Sequence, residues 1–340
     1  MLLNNKHVLF KLQSISSSLL LKLIHKKPKQ SNLISQKQNN NSQWPVSKWN
    51  YGRGQYALSS PIKDGSCNVS DTTASQEMAQ LKNKLEDKVA IVTGGASGIG
   101  EATACHFALY GARAVVIADV QDQKGNDVAA SIGPHCTYIR CDVTDDNQVK
   151  SLVDSTVQMH GRLDIMFSNA GVFSSSEQTV LEFDLSNFEK LMAVNVRGMA
   201  VCLKHAARAM VEGGVKGMVI CTASVAASTG LEWFTDYRMS KHAIQGLIRS
   251  ASIQLGTYGI RVNCVSPGPV HTPLLNSFLS FNAVEITTLP AASGDRHEIM
   301  SPDHVAKAVV FLASDDSQFV SGHNLVVEGG LKAICIPIPK

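Results

Sequence analysis

From Leu85 onward the chain alternates short, continuous apolar runs with segments of helical length, and this alternation limits its fold more than any other feature. The runs are Val89 to Val92, Ala114 to Ala118, Thr137 to Arg140, Ile165 to Phe167, Met218 to Cys221, Arg261 to Val265 and Leu325 to Val327. A strand with one wet face alternates apolar and polar residues, whereas a strand covered on both faces is apolar throughout. Parallel neighbours need crossovers long enough for a helix, and the spacers here have that length. The pattern therefore predicts an α/β fold: a single Rossmann-type, doubly wound sheet of seven parallel strands with helices on both faces. No repeat or second linker interrupts it, so one domain is expected over residues 85–332, followed by a short tail at 333–340.

What precedes this body differs in kind. Residues 1–63 hold ten of the 31 Lys and Arg and none of the 28 acids, the first acid being Asp64. The positive net charge of the whole chain thus belongs to this leader, and the body is slightly acidic. That balance gives no reason to expect nucleic-acid binding by the folded part. The apolar stretch around Leu19 to Ile24 is broken by Lys22 and is too short to span a bilayer. A basic, Ser-bearing, acid-free leader is the composition of an organelle transit peptide, with residues 64–84 as linker. Mitochondrion is the first expectation and plastid the second, with the cytosol if the leader is an untargeted tail. The eight cysteines form no Cys-x-x-Cys pair, and most fall in apolar runs where a thiol packs as a small hydrophobe, so no disulfide or metal site is expected.

Two stretches carry chemistry. The first run enters Thr93-Gly94-Gly95-Ala96-Ser97-Gly98-Ile99-Gly100, and a helical pattern follows. Glycines there permit a tight turn and let backbone amides approach a pyrophosphate at a helix N-terminus. Asp119 closes the second run. An acid at that strand end accepts from ribose hydroxyls and repels a 2′-phosphate, which favours NAD over NADP, and neither the turn nor Val120-Gln121 offers a basic side chain. Asp142 and Val143 follow the third run near the expected adenine edge, and Asn169-Ala170-Gly171 makes another small-residue turn after the fourth. The second stretch is Tyr237-Arg238-Met239-Ser240-Lys241, with Ser224 upstream. A Tyr four residues before a Lys shares a helix face with it, where the ammonium would hold the phenol's pKa down.

Taken together, these residues resemble the short-chain dehydrogenase/reductase family over about residues 85 to 330. The family's Thr-Gly-x-x-x-Gly-x-Gly falls on Thr93 to Gly100. Its Asn-Asn-Ala-Gly appears as Ser168-Asn169-Ala170-Gly171, with Ser168 as the one departure. The resemblance implies catalytic roles for Asn195, Ser224, Tyr237 and Lys241, with Tyr237 as general acid or base, Lys241 on the nicotinamide ribose, Ser224 donating to the substrate oxygen and Asn195 holding a water. It also implies cofactor contacts from Gly94, Ser97, Gly98, Ile99, Gly100, Asp119, Asp142, Val143, Asn169, Tyr237 and Lys241, and from Val270 and Thr272 at the nicotinamide end. The runs Leu163 to Phe167, Lys204 to Arg208 and Gly259 to Pro267 are similar to a plant branch that includes secoisolariciresinol dehydrogenase, momilactone A synthase and xanthoxin dehydrogenase. That branch implies NAD-dependent oxidation of a secondary alcohol on a terpenoid or phenolic skeleton. A cyclase or isomerase that keeps NAD as a scaffold is the alternative. The family also implies a homotetramer. His205 is expected to be a structural helix residue. Phe173, Trp233 and Phe234, with Leu274, Leu275, Phe278, Leu279, Phe281 and Leu289 in a lid, are expected to line an apolar pocket for a small hydrophobic alcohol or ketone.

Overall fold

The computed structural model describes residues 83–230, 232–281 and 299–330. The leader, all but the end of the linker, the tail and Leu289 lie outside the described residues, as do the side chains of Phe278 and Phe281. Contacts divide the chain into Met1–Ser66 and Cys67–Lys340, and the whole sheet belongs to the second unit.

All seven expected strands form. They are β1 Val89–Thr93, β2 Ala114–Asp119, β3 Cys136–Arg140, β4 Ile165–Ser168, β5 Met218–Thr222, β6 Arg261–Pro267 and β7 Asn324–Val327. Every pairing is parallel, in the order β3-β2-β1-β4-β5-β6-β7. The helices are α1 Gly98–Leu109, α2 Asp122–Ile132, α3 Asp146–His160, α4 Leu185–Met192, α5 Met199–Glu212, α6 Thr235–Gly256, α7 Pro273–Phe281 and α8 Pro302–Ala313. A π-helical turn, Ala193–Gly198, joins α4 to α5.

The continuous apolar runs follow from two cores, one on each face of the sheet. Successive strand residues point to opposite faces, so Ile91 of β1 packs with Val116, Met166, Val219 and Val262 under α3, α5 and α6. Its neighbours Ala90 and Val92 pack on the other face, with Ile117, Ile165 and Ile220 under Phe107 of α1 and Val305 and Val309 of α8. Both faces are dry, and every residue of β1 and β2 is buried. Truncating Phe107, which is fully buried, would cost roughly 3–5 kcal/mol. At the start of β1 the buried Asp164 carboxylate accepts from the Val89 amide at 3.0 Å and from the guanidinium of Arg162, whose Nη2 lies 2.6 Å away. An otherwise costly buried acid is thereby paired and hydrogen-bonded.

The chain builds outward from β1 to β3 and then returns to the opposite side of β1 with β4. This reversal opens a crevice at the carboxyl ends of β1 and β4, where open α/β sheets bind ligands.

Candidate active site

The crevice is a cleft of about 930 Å³ that runs from Asp119 and Asp142 at one end to Phe173, Trp233 and Leu274 at the other. Its floor at the first end is the turn after β1. Gly94 has φ +64°, and a Cβ there would stand 2.9 Å from the Ala170 Cα, so only glycine admits the close approach of this turn to the one after β4. Ser97 precedes α1 with no side-chain cap bond, leaving the helix N-terminus to present its amides and partial positive charge to the cleft. Gly94, Ser97, Gly98 and Ile99 all line the cleft, whereas Gly100 does not. A Cβ on Gly100 would fall 2.1 Å from the Gly94 carbonyl oxygen, so its place is close packing of helix on turn.

Asp119 is mostly buried and lines the cleft. Its Oδ2 accepts from the Ala96 amide at 3.1 Å and its Oδ1 from the Gln121 amide at 3.0 Å. The Gln121 side-chain amide also donates to Oδ1 at 3.3 Å, and since a carboxylate has about four acceptor directions, capacity remains for a ribose hydroxyl. Asp142, also in the cleft wall beside Val143, accepts from the Thr144 amide and hydroxyl at 2.9 and 2.8 Å. Asn169 is a knot between three strand ends. Its amide donates to the Thr93 carbonyl at 3.1 Å, its carbonyl accepts from the Thr222 hydroxyl at 2.9 Å, and its backbone amide donates to the Thr93 hydroxyl. It borders the cleft with its polar atoms engaged in the protein. Val270 is buried and bridges to Met300, and Thr272 sits against Gly98, so both border the cleft. A dinucleotide fits these residues: the glycine turn is a cradle that a Cβ would fill, and an acid stands at the ribose position.

Ser224 ends the segment after β5, and Tyr237 and Lys241 stand one turn apart on α6, with all three in the cleft. Lys241 is buried. Its Nζ donates to the Thr222 carbonyl at 2.9 Å and lies 5.5 Å from the centre of the Tyr237 ring. The expected effect of that ammonium on the phenol does not dominate. Burial pushes the Tyr237 phenol up to about 12, outweighing hydrogen bonding from Ser224 and the Arg238 charge, which both pull it down. Burial also drives the Lys241 ammonium down to about 8, against the pull of the Cys221 and Cys264 thiols. Desolvation disfavours both charged forms in the same apolar setting.

Asn195, in the π turn, is fully buried and outside the cleft lining. Its side chain accepts from the Val172 amide at 2.8 Å, donates to the Val172 carbonyl at 2.9 Å and reaches Ser240 Oγ at 3.2 Å. It ties the loop after β4 to α6.

Some of the site was invisible in sequence. Phe234, at the start of α6, has φ +60°, a strained value for an aromatic residue. It is held there by the loop after β4: the Phe234 amide donates to the Glu177 carbonyl at 2.6 Å, the Ser174 hydroxyl to the Asp236 carboxylate at 2.5 Å, and Phe173 packs on both Phe234 and Tyr237 with ring centres 4.9 and 4.4 Å apart. The only cue was the density of aromatics around Tyr237. Leu274 and Leu275 of α7 and Trp233 border the apolar end as expected, and Leu279 is buried outside it. His205 is buried in α5, its Nε2 3.1 Å from Asp146 Oδ1, as a structural residue would be. Of the six described cysteines all but Cys105 are buried.

This doubly wound sheet, with a dinucleotide-shaped cleft that ends in a Ser-Tyr-Lys set, defines an oxidoreductase class. The family described as enoyl-(acyl carrier protein) reductase matches residues 94–332, and the chain belongs to the short-chain dehydrogenase/reductase family. It is 53% identical over 261 residues to (+)-cis,trans-nepetalactol synthase NEPS1 of Nepeta racemosa, covering 76% of this chain and 96% of that one. It is 52% identical over 262 residues to the mitochondrial (-)-isopiperitenol/(-)-carveol dehydrogenase of Mentha piperita, covering 76% and 98%. Secoisolariciresinol dehydrogenase of Forsythia intermedia is 43% identical over 269 residues, covering 78% and 96%. Among solved structures, a 3-ketoacyl-(acyl-carrier-protein) reductase from Brucella melitensis complexed with NADH superposes with TM-score 0.65 at 29% identity, covering 72% of this chain and 98% of that one.

Proposed function

We propose that this enzyme is an NAD-dependent dehydrogenase that interconverts a secondary alcohol and a ketone on a hydrophobic terpenoid or phenolic skeleton. The observation that carries the reading is the convergence of Ser224, Tyr237 and Lys241 in a cleft whose far end is closed by Asp119. NAD, when bound, supplies the hydride acceptor and a positive ring. Ser224 donates to the substrate oxygen where negative charge develops. Tyr237 takes the carbinol proton in oxidation and returns it to the ketone oxygen in reduction. With its phenol pushed up to about 12, Tyr237 rests protonated near neutral pH, the form that serves reduction, and oxidation needs added positive charge beside it. Lys241 supplies such a charge below its own value of about 8 and would bond the nicotinamide ribose. Asn195 fixes Val172 and Ser240, and we assign it the water that links Lys241 to solvent. Phe173, Trp233, Phe234, Leu274 and Leu275 select an apolar skeleton.

A second reading is a cyclase or isomerase that retains NAD as a scaffold, favoured by the 53% identity to a nepetalactol synthase. The test is NADH formation by purified protein with a panel of terpenoid and phenolic secondary alcohols, with Tyr237→Phe as control. Turnover that falls by roughly 10²–10⁴ in the variant supports the dehydrogenase. Tight NAD binding without NADH from any alcohol moves the assignment to the second reading.

We further propose an organelle location, mitochondrion before plastid, on the basic, acid-free leader and on the mitochondrial designation of the mint relative. We also propose a homotetramer, which the exposed apolar residues Ile253 and Phe319 suit. Import of a fluorescent leader fusion and light scattering decide these two points.

A further inference from the structure

Arg238, inside the Tyr-x-x-x-Lys spacing, is absorbed by none of the roles above, yet it is half-buried and borders the cleft beside Tyr237. Its Nη1 donates to the Thr229 carbonyl at 2.7 Å and to the Thr229 hydroxyl at 2.9 Å. That hydroxyl in turn donates to the Val225 carbonyl at 3.2 Å, and the Ser224 hydroxyl accepts from the Ala226 amide at 3.2 Å. Gln245, two helical turns further along α6, donates to the Ala227 carbonyl at 3.2 Å. Residues 238 and 245 therefore fasten the Ser224-bearing turn to the helix that carries Tyr237.

The guanidinium has a second property. Arg162 is paired with Asp164 and Arg140 with Asp122, but among the described residues no carboxylate forms an ion pair with Arg238. Its Nε is buried and has no hydrogen-bond partner among the described residues. A charge left uncompensated in a poorly solvated place acts strongly on its ionisable neighbours. The adjoining Asp236 carboxylate is occupied on one oxygen by the Ser174 hydroxyl and the Tyr237 amide. Lys241, on the same helix, has its Nζ 5.5 Å from the centre of the Tyr237 ring and bonded to the Thr222 carbonyl, with the Cys221 and Cys264 thiols of β5 and β6 acting on its charge. Among the described residues the acids bordering the cleft are Asp119 and Asp142, at its cofactor end, and Glu328 after β7. Glu177 is exposed on the loop that holds Phe234. The elements packed on α6 from the other side bring Glu189 and Lys190 of α4, Arg197 of the π turn, and Lys204, His205, Arg208 and Glu212 of α5, of which Lys204 and His205 share Asp146. In this setting Arg238 contributes the charge that pulls the phenol down.

We propose that Arg238 is a positioning residue with two effects: it locks the Ser224 turn onto α6, and it supplies the cation that stabilises the Tyr237 phenolate. The inference deepens the dehydrogenase reading and rests on it in its kinetic arm only.

The test places a fluorotyrosine at 237 in the full-length protein and follows its titration by fluorine NMR, in the parent and in Arg238→Met, Arg238→Gln, Arg238→Lys and Thr229→Val. An opposite charge at close range shifts a titration by one unit or more, so loss of the guanidinium is expected to raise the fluorotyrosine value by about one unit, a tenfold weaker acid. Arg238→Gln keeps a donor for Thr229 without the charge and must rise as Arg238→Met does, which preserves the test if the methionine variant fails to fold. Arg238→Lys keeps the charge and stays near the parent. Thr229→Val loosens the turn, lowers kcat and leaves the titration in place. The alkaline-rising limb of kcat/KM for alcohol oxidation moves to higher pH by the same step in the two neutral variants. An unchanged titration in both neutral variants overturns the proposal. A shifted titration without NADH from any alcohol supports it and instead counts against the dehydrogenase reading.

Discussion

Replacing Asp119 with serine tests the cofactor assignment most directly. The carboxylate already accepts from the Ala96 and Gln121 backbone amides at 3.1 and 3.0 Å and from the Gln121 side chain at 3.3 Å, and its remaining acceptor direction serves the cleft. A hydrogen bond to a charged group contributes about 1.5–3 kcal/mol, so losing one such bond to a ribose hydroxyl weakens NAD binding by about 2 kcal/mol, roughly 30-fold. The same substitution removes the charge that repels a 2′-phosphate, and NADP binding should strengthen. The structure adds a residue that the sequence reading of this loop passed over. Arg140 is the register partner of Asp119 on β3, and its Nη1 bonds the Val120 carbonyl and Asp122 Oδ2, each at 2.8 Å. An arginine thus stands beside the strand end but is engaged by Asp122, so Asp119→Ser combined with Asp122→Asn should improve NADP binding beyond the single change. Dissociation constants for both nucleotides, from calorimetry, check this. Thermal unfolding of the same samples shows whether the lost Ala96 and Gln121 bonds have loosened the turn. A variant that remains folded with its NAD to NADP ratio within about threefold of the parent would refute the reasoning and leave Asp119 as a turn residue.

Three further outcomes follow from the geometry. Gly94→Ala sets a Cβ 2.9 Å from backbone at a positive φ, and should cost about 1–3 kcal/mol and most NAD affinity; a parental melting temperature and dissociation constant would contradict it. Asn195→Ala strips partners from the Val172 amide and carbonyl, and should cost about 2–4 kcal/mol in urea unfolding while lowering turnover; an unchanged urea midpoint would show that the clamp is dispensable. Lys241 has a folded value of about 8 against an ordinary 10.5, so the unfolded chain binds the extra proton between these values, and native stability rises with pH across that window. Lys241→Met should therefore abolish turnover yet stabilise the protein near neutral pH by on the order of 1–2 kcal/mol after the Thr222 bond is lost, with the advantage shrinking as pH passes 8 to 10.5 in a series of melting curves.

The sheet was legible because its cause is local. A strand covered on both faces has no polar position, and Ala90, Ile91 and Val92 serve both cores in turn, so a continuous run is what such a strand must look like. Strand ends moved by at most two residues. The cradle was legible for a related reason: Gly94 and Gly98 are demanded by backbone conformation, which a residue type reports directly. Side-chain surroundings were less legible. Gly100 packs helix on turn and the Asn195 side chain clamps Val172, contacts that motif spacing does not report.

The electrostatics were the least legible part, and the reason is geometric. The Tyr-x-x-x-Lys spacing places a cation near a phenol, and a cation lowers a phenol's pKa so long as burial of the pair does not cost more. Here α6 lies against β6 and the turn after β5, so Tyr237 and Lys241 are desolvated together, and burial moves the phenol up and the ammonium down. Spacing along one helix cannot report that cost, because the atoms that exclude water come from residues far away in the chain. The same holds for Arg140 and Arg238. Each lies next to a motif residue across a strand pair or along a helix, and what each does depends on whether a carboxylate meets it: Asp122 engages Arg140, and among the described residues no acid engages Arg238. A motif thus fixes which groups meet in this cleft, while the charge state in which they meet is set by distant parts of the fold. The pH behaviour of Tyr237 is therefore where this enzyme can differ from relatives that share its motif.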